Sequence, residues 1–181
     1  MFGKLIRSLM GGRNRTTIAA GEAAPPFSLG STDGKRRSLK EGLTHGPVLA
    51  AFFKVSCPTC QYAFPFLERM YQQLRSSGAK DLQIWGIVQD EAEYGREFAR
   101  ELGITFPILT DEEPFELSRE YGLNFVPSIF LIAPNGRVKI TSDGFSRTDF
   151  VAIQKSLAAH FSLNPPALFI PSEKVPEFKP G

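Results

Sequence analysis

The stretch VLAAFFKVSCPTCQYAFPFLERM, residues 48–70, decides the fold of this 181-residue chain. It opens with an apolar run over residues 48–55 that a single lysine interrupts, which is typical of a strand buried on both faces of a sheet. From Cys60 onward the apolar residues recur at the spacing of one helix face, which predicts a helix that ends near Gly78. Cys57 and Cys60 therefore lie where a buried strand turns into a helix.

The flanking sequence continues this alternation of strands and helices. An Asn-Gly pair at residues 135 and 136, between two apolar runs, is a strong hairpin signal. The S-x-x-D pattern of Ser146 and Asp149 predicts a capping box at the start of a helix. The order of elements predicts an α/β fold with helices on both faces of one sheet. The predicted segments are a hairpin of residues 27–29 with 36–39, a strand over 83–88, helices over 91–102 and 114–121, a hairpin of 128–133 with 138–142, and a last helix that ends at residue 160.

The composition is that of a globular protein with one domain. The chain has 42% hydrophobic and 22% charged residues, and no apolar run approaches the length of about 18 residues that spans a bilayer. Its formal net charge of +2 does not favour nucleic acid as a partner. Two cysteines are too few for a secreted scaffold held together by disulfides. These features predict a soluble protein.

Three segments of the chain differ in composition. Residues 1–20 form a basic leader, residues 21–161 the folded domain, and residues 162–181 a tail with five prolines. The leader lacks the continuous apolar stretch of a secretory signal, so the predicted location is cytoplasmic, with an extracytoplasmic or membrane-associated location as the alternative. A frayed leader is preferred to contact of residues 1–10 with a membrane. The tail is predicted to run extended over the domain surface, with anchors among Leu168, Phe169 and Ile170.

The CPTC sequence carries the chemistry. Pro58 suits the first position of the helix, where a missing N–H costs nothing, so Cys57 lies at the helix N-terminus. Unpaired N–H groups favour an anion there, and the thiolate is the reactive form of cysteine. One helical turn further on, Cys60 is close enough to form a disulfide. Cys57 is therefore the predicted nucleophile and Cys60 the predicted resolving residue, while Ser56, Pro58 and Thr59 complete the active-site turn.

Metal binding and a purely structural role are the alternatives for the two cysteines. A zinc site needs about four ligands, and the chain adds only His45 and His160, at no ligand spacing. A structural disulfide within one turn closes too small a loop to stabilise the fold much. We therefore predict a redox-active dithiol that uses neither a metal nor a cofactor.

Four features of residues 21–160 occur together in one order. They are the CxxC motif, Pro65 in the helix that follows it, the pair Val126 and Pro127, and the Asn-Gly hairpin. With these features the chain resembles the thioredoxin superfamily, specifically the TlpA-type thiol-disulfide oxidoreductases of the alkyl hydroperoxide reductase/thiol-specific antioxidant grouping. The resemblance implies a thioredoxin-like fold with a central mixed sheet, helices on both faces and an extra N-terminal hairpin. It also implies a cis Val126–Pro127 bond beside the CxxC motif, with both residues binding substrate.

Three positions depart from the pattern of that family. Ser56 stands where thioredoxins and many relatives carry tryptophan. Ala51 stands where thioredoxin has a buried acid, and Ala63 where many TlpA-type proteins have glutamate. The motif therefore identifies no carboxylate for proton transfer. Lys54 could favour the thiolate instead, although a lysine at a strand end usually faces water.

Together, the residues and the resemblance predict an enzyme that exchanges disulfides with protein or small-molecule thiols. A cytoplasmic location favours a reductant that serves redox homeostasis and antioxidant defence, supplied by a thioredoxin or glutathione system. One alternative is a peroxiredoxin, but the P-x-x-x-T/S-x-x-C pattern of that class fails whether it is aligned on Cys57 or on Cys60. The other is a binding module that holds a partner in the groove around Cys57 and Pro127 without catalysis.

Overall fold

The computed structural model describes residues 16–181 and contains nine strands and five α-helices over that range. The strands are β1 (Ser28–Gly30), β2 (Arg36–Ser38), β3 (Val48–Phe53), β4 (Gln83–Val88), β5 (Ile108–Thr110), β6 (Ser128–Ile132), β7 (Val138–Asp143), β8 (Phe145–Ser146) and β9 (Phe178–Lys179). The helices are α1 (Leu39–Leu43), α2 (Pro58–Ser76), α3 (Ala92–Leu102), α4 (Glu116–Glu120) and α5 (Arg147–His160), with a 3-10 turn at Pro171–Glu173.

The centre of the fold is a mixed sheet with the strand order β5-β4-β3-β6-β7. β3 lies in the middle, parallel to β4 and antiparallel to β6. All six residues of β3 are buried, as the continuous apolar run predicts. The active-site turn at the C-terminal end of β3 is thus held on both sides by neighbouring strands.

Two hydrophobic clusters cover the two faces of the sheet. Leu49, Ala51 and Phe53 belong to one cluster, and the alternate residues of β3 belong to the other, because side chains alternate between the faces of a strand. Helices α2, α3 and α5 contribute to the first cluster, whereas α1 and α4 contribute to the second. The predicted α/β fold with a mixed sheet and helices on both faces is confirmed.

Aromatic packing fixes α2 against the sheet. The helix begins at Pro58 and contains Pro65, which is exposed. On its buried side, the ring of Phe64 lies 4.3 Å from that of Phe53 in β3 and 5.3 Å from that of Phe98 in α3. Such aromatic pairs contribute about 0.5–1.5 kcal/mol beyond the area they bury. They therefore hold the first turns of α2 beside the end of β3.

The predicted N-terminal hairpin is present as β1 and β2, and its turn joins the edge of the sheet at β5. The Thr32 N–H and the Ser31 hydroxyl both donate to the carbonyl oxygen of Ile108, at 2.8 and 3.0 Å. The sequence pattern does not predict β5, since its three residues show no period and no hairpin turn joins it to its parallel partner β4.

Residues 16–20, the end of the predicted leader, hydrogen-bond to the folded domain. The Thr17 hydroxyl donates to Gly122 O at 2.9 Å, and the Ile18 N–H donates to Tyr121 O at 3.2 Å. This part of the leader is not frayed, contrary to the expectation. The segment 1–10, considered above for membrane contact, lies outside the described residues. Across residues 16–181, none of the helices has both the length and the apolar character needed to cross a bilayer.

The capping box predicted for α5 is only half formed. The Asp149 N–H donates to Ser146 Oγ at 3.2 Å, as the pattern predicts. The carboxylate of Asp149 instead accepts a hydrogen bond from the Ser142 hydroxyl at 2.8 Å. This hydrogen bond ties α5 to β7. The predicted contact of the Asp149 carboxylate with the Ser146 N–H is wrong, because the carboxylate bonds to Ser142 of β7 instead.

The proline-rich tail folds back onto the domain. Leu168 and Phe169 are buried, as predicted, whereas Ile170 is 52% exposed and does not anchor the tail. Arg69 of α2 donates to the carbonyl oxygen of Leu168 at 2.9 Å and pairs with the carboxylate of Glu173. Beyond this anchor the tail forms β9, which pairs antiparallel with β8.

Candidate active site

A short turn joins the end of β3 to the start of α2 and carries both cysteines. The Cys57 N–H donates to Lys54 O at 3.2 Å, and the side-chain amide of Gln61 donates to Val55 O at 2.9 Å. Cys57 is the N-cap residue of α2, and Pro58 is the first residue of the helix. The predicted position of Cys57 is confirmed. The side chain of Lys54 is exposed, as expected at a strand end.

Asp90 supports this turn from a neighbouring loop. It follows β4, and its Oδ2 accepts a hydrogen bond from the Val55 N–H at 2.9 Å. The sequence alone indicates only an acid near the start of α3, where it would complement the helix dipole. The contact forms because the parallel strands β3 and β4 end side by side, at Phe53 and Val88.

Two hydrogen bonds of opposite sense position the sulfur of Cys57. Its Sγ accepts from the Cys60 N–H at 3.1 Å, and its thiol donates to Val126 O at 3.3 Å. The first bond strengthens when the sulfur is an anion, because hydrogen bonds to charged acceptors are stronger. Cys57 is only half-buried, so a substrate can reach it.

Cys60 lies one turn further along α2 and is fully buried. Burial raises the pKa of its thiol well above the ordinary value, and the hydrogen bond with Cys57 raises it further. Ala51 and Ala63 are also fully buried in the same cluster. Apolar surroundings therefore keep Cys60 protonated while Cys57 faces the solvent.

The buried carboxylates of the described chain are engaged elsewhere. They are Glu68 and Asp111. Glu68 accepts from the Thr105 N–H at 2.8 Å, and Asp111 accepts from the Ser118 N–H at 2.8 Å. Glu68 thus satisfies loop backbone and Asp111 the first turn of α4, and neither hydrogen-bonds to the dithiol. Within residues 16–181, no three His, Cys, Asp or Glu side chains are grouped to hold a metal ion.

The loop before β6 forms the opposite wall of the site. The Val126–Pro127 peptide bond is cis, which confirms the expectation. Val126 is half-buried and Pro127 is buried. The Ser128 hydroxyl lies within hydrogen-bonding distance of Phe125 O (2.8 Å) and of Asp143 Oδ1 (2.9 Å), which ties this loop to β7.

The predicted site residues lie together around Cys57. Ser56 and Pro58 are exposed, and Thr59 is half-buried. The Thr59 hydroxyl donates to the carbonyl oxygen of Pro180 at 2.6 Å, although 121 positions separate the two residues. No local pattern indicates that the tail reaches the active-site turn. The catalytic and binding roles of these residues stay predictions.

Comparison with known proteins assigns the chain to a family. A family model matches residues 20–141, which is most of the chain. The chain belongs to the AhpC/TSA family. Within it, the chain is 30% identical over 125 residues to the thiol-disulfide oxidoreductase ResA of Geobacillus thermodenitrificans, an alignment that covers 69% of this chain and 70% of the relative.

Solved structures share the fold of this chain. A provisionally named thiol:disulfide interchange protein DsbE from Chlorobium tepidum is 25% identical with a TM-score of 0.66, covering 80% of this chain and 99% of that one. The thioredoxin domain of a thiol-disulfide oxidoreductase from Bacteroides vulgatus is 19% identical with a TM-score of 0.66, covering 82% and 100%, and shows the fold alone. The predicted thioredoxin-like fold and the predicted class, a thiol-disulfide oxidoreductase of the TlpA type, are confirmed.

Proposed function

We propose that this protein reduces disulfides by two successive thiol exchanges, with Cys57 as the nucleophile and Cys60 as the resolving thiol. The observation that carries the proposal is the asymmetry of the pair. Cys57 is half-buried at a helix N-terminus, whereas Cys60 is fully buried and the pKa of its thiol is raised. An attacking thiol must be accessible and able to ionise, and a resolving thiol must stay protected until the mixed disulfide has formed.

In the first exchange, the thiolate of Cys57 attacks one sulfur of a substrate disulfide. A bond forms between Cys57 Sγ and that sulfur, and the substrate S–S bond breaks. The other substrate sulfur leaves as a thiolate and takes a proton from solvent, which replaces the one that Cys57 gave up. The Cys60 N–H, 3.1 Å from Cys57 Sγ, stabilises the anion before the attack.

In the second exchange, Cys60 attacks the sulfur of Cys57. The Cys57–Cys60 bond forms and the bond between Cys57 and the substrate sulfur breaks. The substrate sulfur leaves as a thiolate and takes up a proton, which balances the proton that Cys60 loses. Two electrons have then passed from the dithiol to the substrate. An external thiol donor returns them by the reverse sequence, and we propose a thioredoxin or glutathione system for this step because both supply electrons towards the reducing end of the biological range.

We assign substrate binding to the loop before β6. The carbonyl oxygen of Val126 accepts the Cys57 thiol at 3.3 Å, which supports a substrate path along the backbone of residue 126 and the adjoining Pro127. Ser56 and Pro58 are exposed on either side of Cys57 in the chain, which supports contact of both residues with a bound substrate. In this proposal, Thr59 completes the turn between the two cysteines.

The burial of Cys60 supports the reducing direction. Strong oxidants with this fold owe their high potential to a stabilised reduced form. The apolar surroundings of Cys60, including Ala51 and Ala63, do not stabilise a thiolate, whereas a neutral disulfide loses little by burial. We associate a reductant with the cytoplasm and with antioxidant and redox-homeostasis roles. An oxidising potential would instead favour the extracytoplasmic alternative.

The test is a redox titration of the purified protein in a dithiol buffer series, followed by alkylation of free thiols. Trp85 is a poor reporter, since it lies in the cluster on the other face of the sheet from Cys60. We expect a two-electron transition towards the thioredoxin end of the range, at about −270 mV. A transition near about −120 mV would refute the reducing direction. Failure to form the Cys57–Cys60 disulfide at any potential would refute the whole mechanism.

Two substitutions separate the alternatives. Cys60→Ser should trap substrate as a stable mixed disulfide on Cys57, whereas Cys57→Ser should trap none. A binding module would retain its partner in the Cys57→Ser variant without any trapping. A peroxiredoxin would reduce hydrogen peroxide with a thiol donor, and we expect no such activity above background, because Ala50 and Lys54 occupy the positions where that pattern needs proline or a hydroxyl.

A further inference from the structure

The last four residues of the chain, which we call the flap (residues 178–181), lie against the active site. The Thr59 hydroxyl donates to Pro180 O at 2.6 Å. A Cβ atom placed on Gly181 would lie 2.7 Å from Val126 O, the same carbonyl that accepts the Cys57 thiol. The flap thus contacts both walls of the site, the active-site turn and the loop that holds the cis proline.

Backbone pairing holds the flap in this position. Lys179 pairs with Phe145 and Phe178 pairs with Ser146 in the antiparallel β8–β9 ladder. The Nζ atom of Lys179 lies 4.9 Å from the centre of the Tyr62 ring, on the first turns of α2. The flap therefore begins as a strand paired with β8 and ends beside the carbonyl oxygen of Val126.

The flap is held more weakly than the part of the tail that precedes it. Leu168 and Phe169 are buried and Arg69 binds the tail at two points, so residues 168–173 form a firm anchor. In the flap, Phe178 is 57% exposed. Segments with few buried apolar contacts open locally at low cost while the rest of a protein stays folded. The flap can therefore open while the anchor remains bound.

An extended polypeptide and the flap would compete for the same backbone. A polypeptide substrate binds a sheet edge or an exposed loop by adding a strand, through main-chain hydrogen bonds. The flap already occupies β8 and the neighbourhood of Val126 O. A small disulfide needs only access to the sulfur of Cys57, which stays half-buried rather than enclosed with the flap in place.

We propose that residues 178–181 determine the substrate specificity of the site, by favouring small disulfides over disulfides in extended polypeptides. This inference rests on the proposed function. In the closed state, Cys57 reacts with small disulfides directly, and a polypeptide disulfide reacts only from the open fraction. The flap thus acts as an internal competitor for the polypeptide-binding path.

The test compares the full chain with Gly181→Ala, in which the added methyl group would lie 2.7 Å from Val126 O, and we expect the weakly held flap to shift away from that carbonyl. Gly30→Ala is the matched control, because a Cβ there meets no atom within 4 Å. A truncation that ends at Glu177 removes the flap completely. Each protein reduces 2-hydroxyethyl disulfide and insulin in separate reactions, and the ratio of the two rates is the readout.

We expect the insulin-to-hydroxyethyl ratio to rise by about tenfold in the truncated protein, the gain when a competent state populated at about one tenth becomes the main state. Gly181→Ala should raise the ratio in the same direction, and Gly30→Ala should leave it unchanged. An unchanged or lower ratio in Gly181→Ala overturns the proposal. If the truncated protein does not fold, Gly181→Ala decides alone.

A second readout separates failure of this inference from failure of the proposed function. In a Cys60→Ser background, Cys57 is the remaining thiol and is alkylated either by iodoacetamide or by a maleimide carrying a polyethylene glycol chain. Adding Gly181→Ala should speed the bulky reagent relative to the small one, whether or not the wild-type protein exchanges disulfides. Equal acceleration of both reagents, or of neither, refutes the flap as a barrier even if the oxidoreductase activity is established.

Discussion

Asp90 provides a sharp test of how the active-site turn is held. Its carboxylate accepts the Val55 N–H at 2.9 Å, two residues before Cys57, and Asp90→Ala removes this acceptor. A hydrogen bond to a charged group contributes about 1.5–3 kcal/mol net. Because Asp90 is half-buried and water can partly replace its carboxylate, we expect Asp90→Ala to lower the free energy of unfolding by an amount at the lower end of this range, about 1.5 kcal/mol.

This loss should appear in both stability and reactivity. Urea denaturation measures the free energy of unfolding, and the reduction of 2-hydroxyethyl disulfide by the reduced protein measures the reaction of Cys57. If the whole free energy of this hydrogen bond is added to the activation free energy of the reaction, each increment of about 1.4 kcal/mol makes the reaction about tenfold slower. We therefore expect Asp90→Ala to react up to about tenfold more slowly.

Two control variants make the result interpretable. Asp90→Asn keeps an oxygen acceptor without the charge, and neutral hydrogen bonds are about half as strong, so its stability and rate should lie between those of the wild type and Asp90→Ala. Glu91→Ala alters the next residue, whose side chain makes no capping hydrogen bond, and should change neither quantity. If Asp90→Ala behaves like Glu91→Ala, Asp90 does not hold the turn.

Three further changes probe the tail and the sheet. Phe169→Ala should lower the free energy of unfolding in urea by about 3 kcal/mol, since a buried ring that packs 5.0 Å from that of Phe66 is lost. The hydrogen bond from Arg69 lowers the pKa of Glu173 to about 2. This pairing stabilises the fold above the ordinary pKa of 4.5, and the stabilisation is lost as the pH falls towards about 2. Lowering the pH through that window should therefore destabilise the wild type more than Glu173→Gln. Gly42→Ala should cost about 1–3 kcal/mol in the same urea assay, because its new methyl group would overlap the ring of Trp85.

Each of these changes has a comparison that can contradict it. Ile170→Ala alters the 52% exposed neighbour of Phe169, and equal stability of the two variants would mean that the tail is not anchored by its aromatic side chain. Gly30→Ala, at a position with open space around it, should be close to neutral beside Gly42→Ala. An identical acid dependence in Glu173→Gln and the wild type would show that the ion pair contributes nothing.

The central part of the fold could be predicted because its signals are contiguous. The bounds of β4 agree with the predicted strand over residues 83–88. The continuous apolar run predicted β3, and the helical spacing of apolar residues together with Pro58 predicted α2. In such segments the local sequence and the tertiary structure favour the same conformation. The cis Val126–Pro127 bond is different, because only the resemblance to a family implied it and the local sequence favours the trans form.

Strand β5 and several distant contacts could not be predicted. Strand β5 has three residues and pairs in parallel with β4, so no hairpin turn marks it as a turn marks the equally short β1 and β2. The carboxylate of Asp149 bonds to Ser142 rather than to its own helix end, because β7 offers a donor at that point. The tail shows the same limit, since burial of Phe169 and exposure of Ile170 depend on which residue faces α2 and β8.

The sequence by itself determined the chemistry: two thiols one helical turn apart, at the point where a buried strand becomes a helix. That information is local, because the spacing of CPTC and the start of α2 depend on neighbouring residues alone. The tertiary structure decided what surrounds the thiols. The contacts of Asp90 with Val55 and of Thr59 with Pro180 join residues 35 and 121 positions apart, so they exist only once strand order and packing have brought the separate loops and the tail to one end of the sheet.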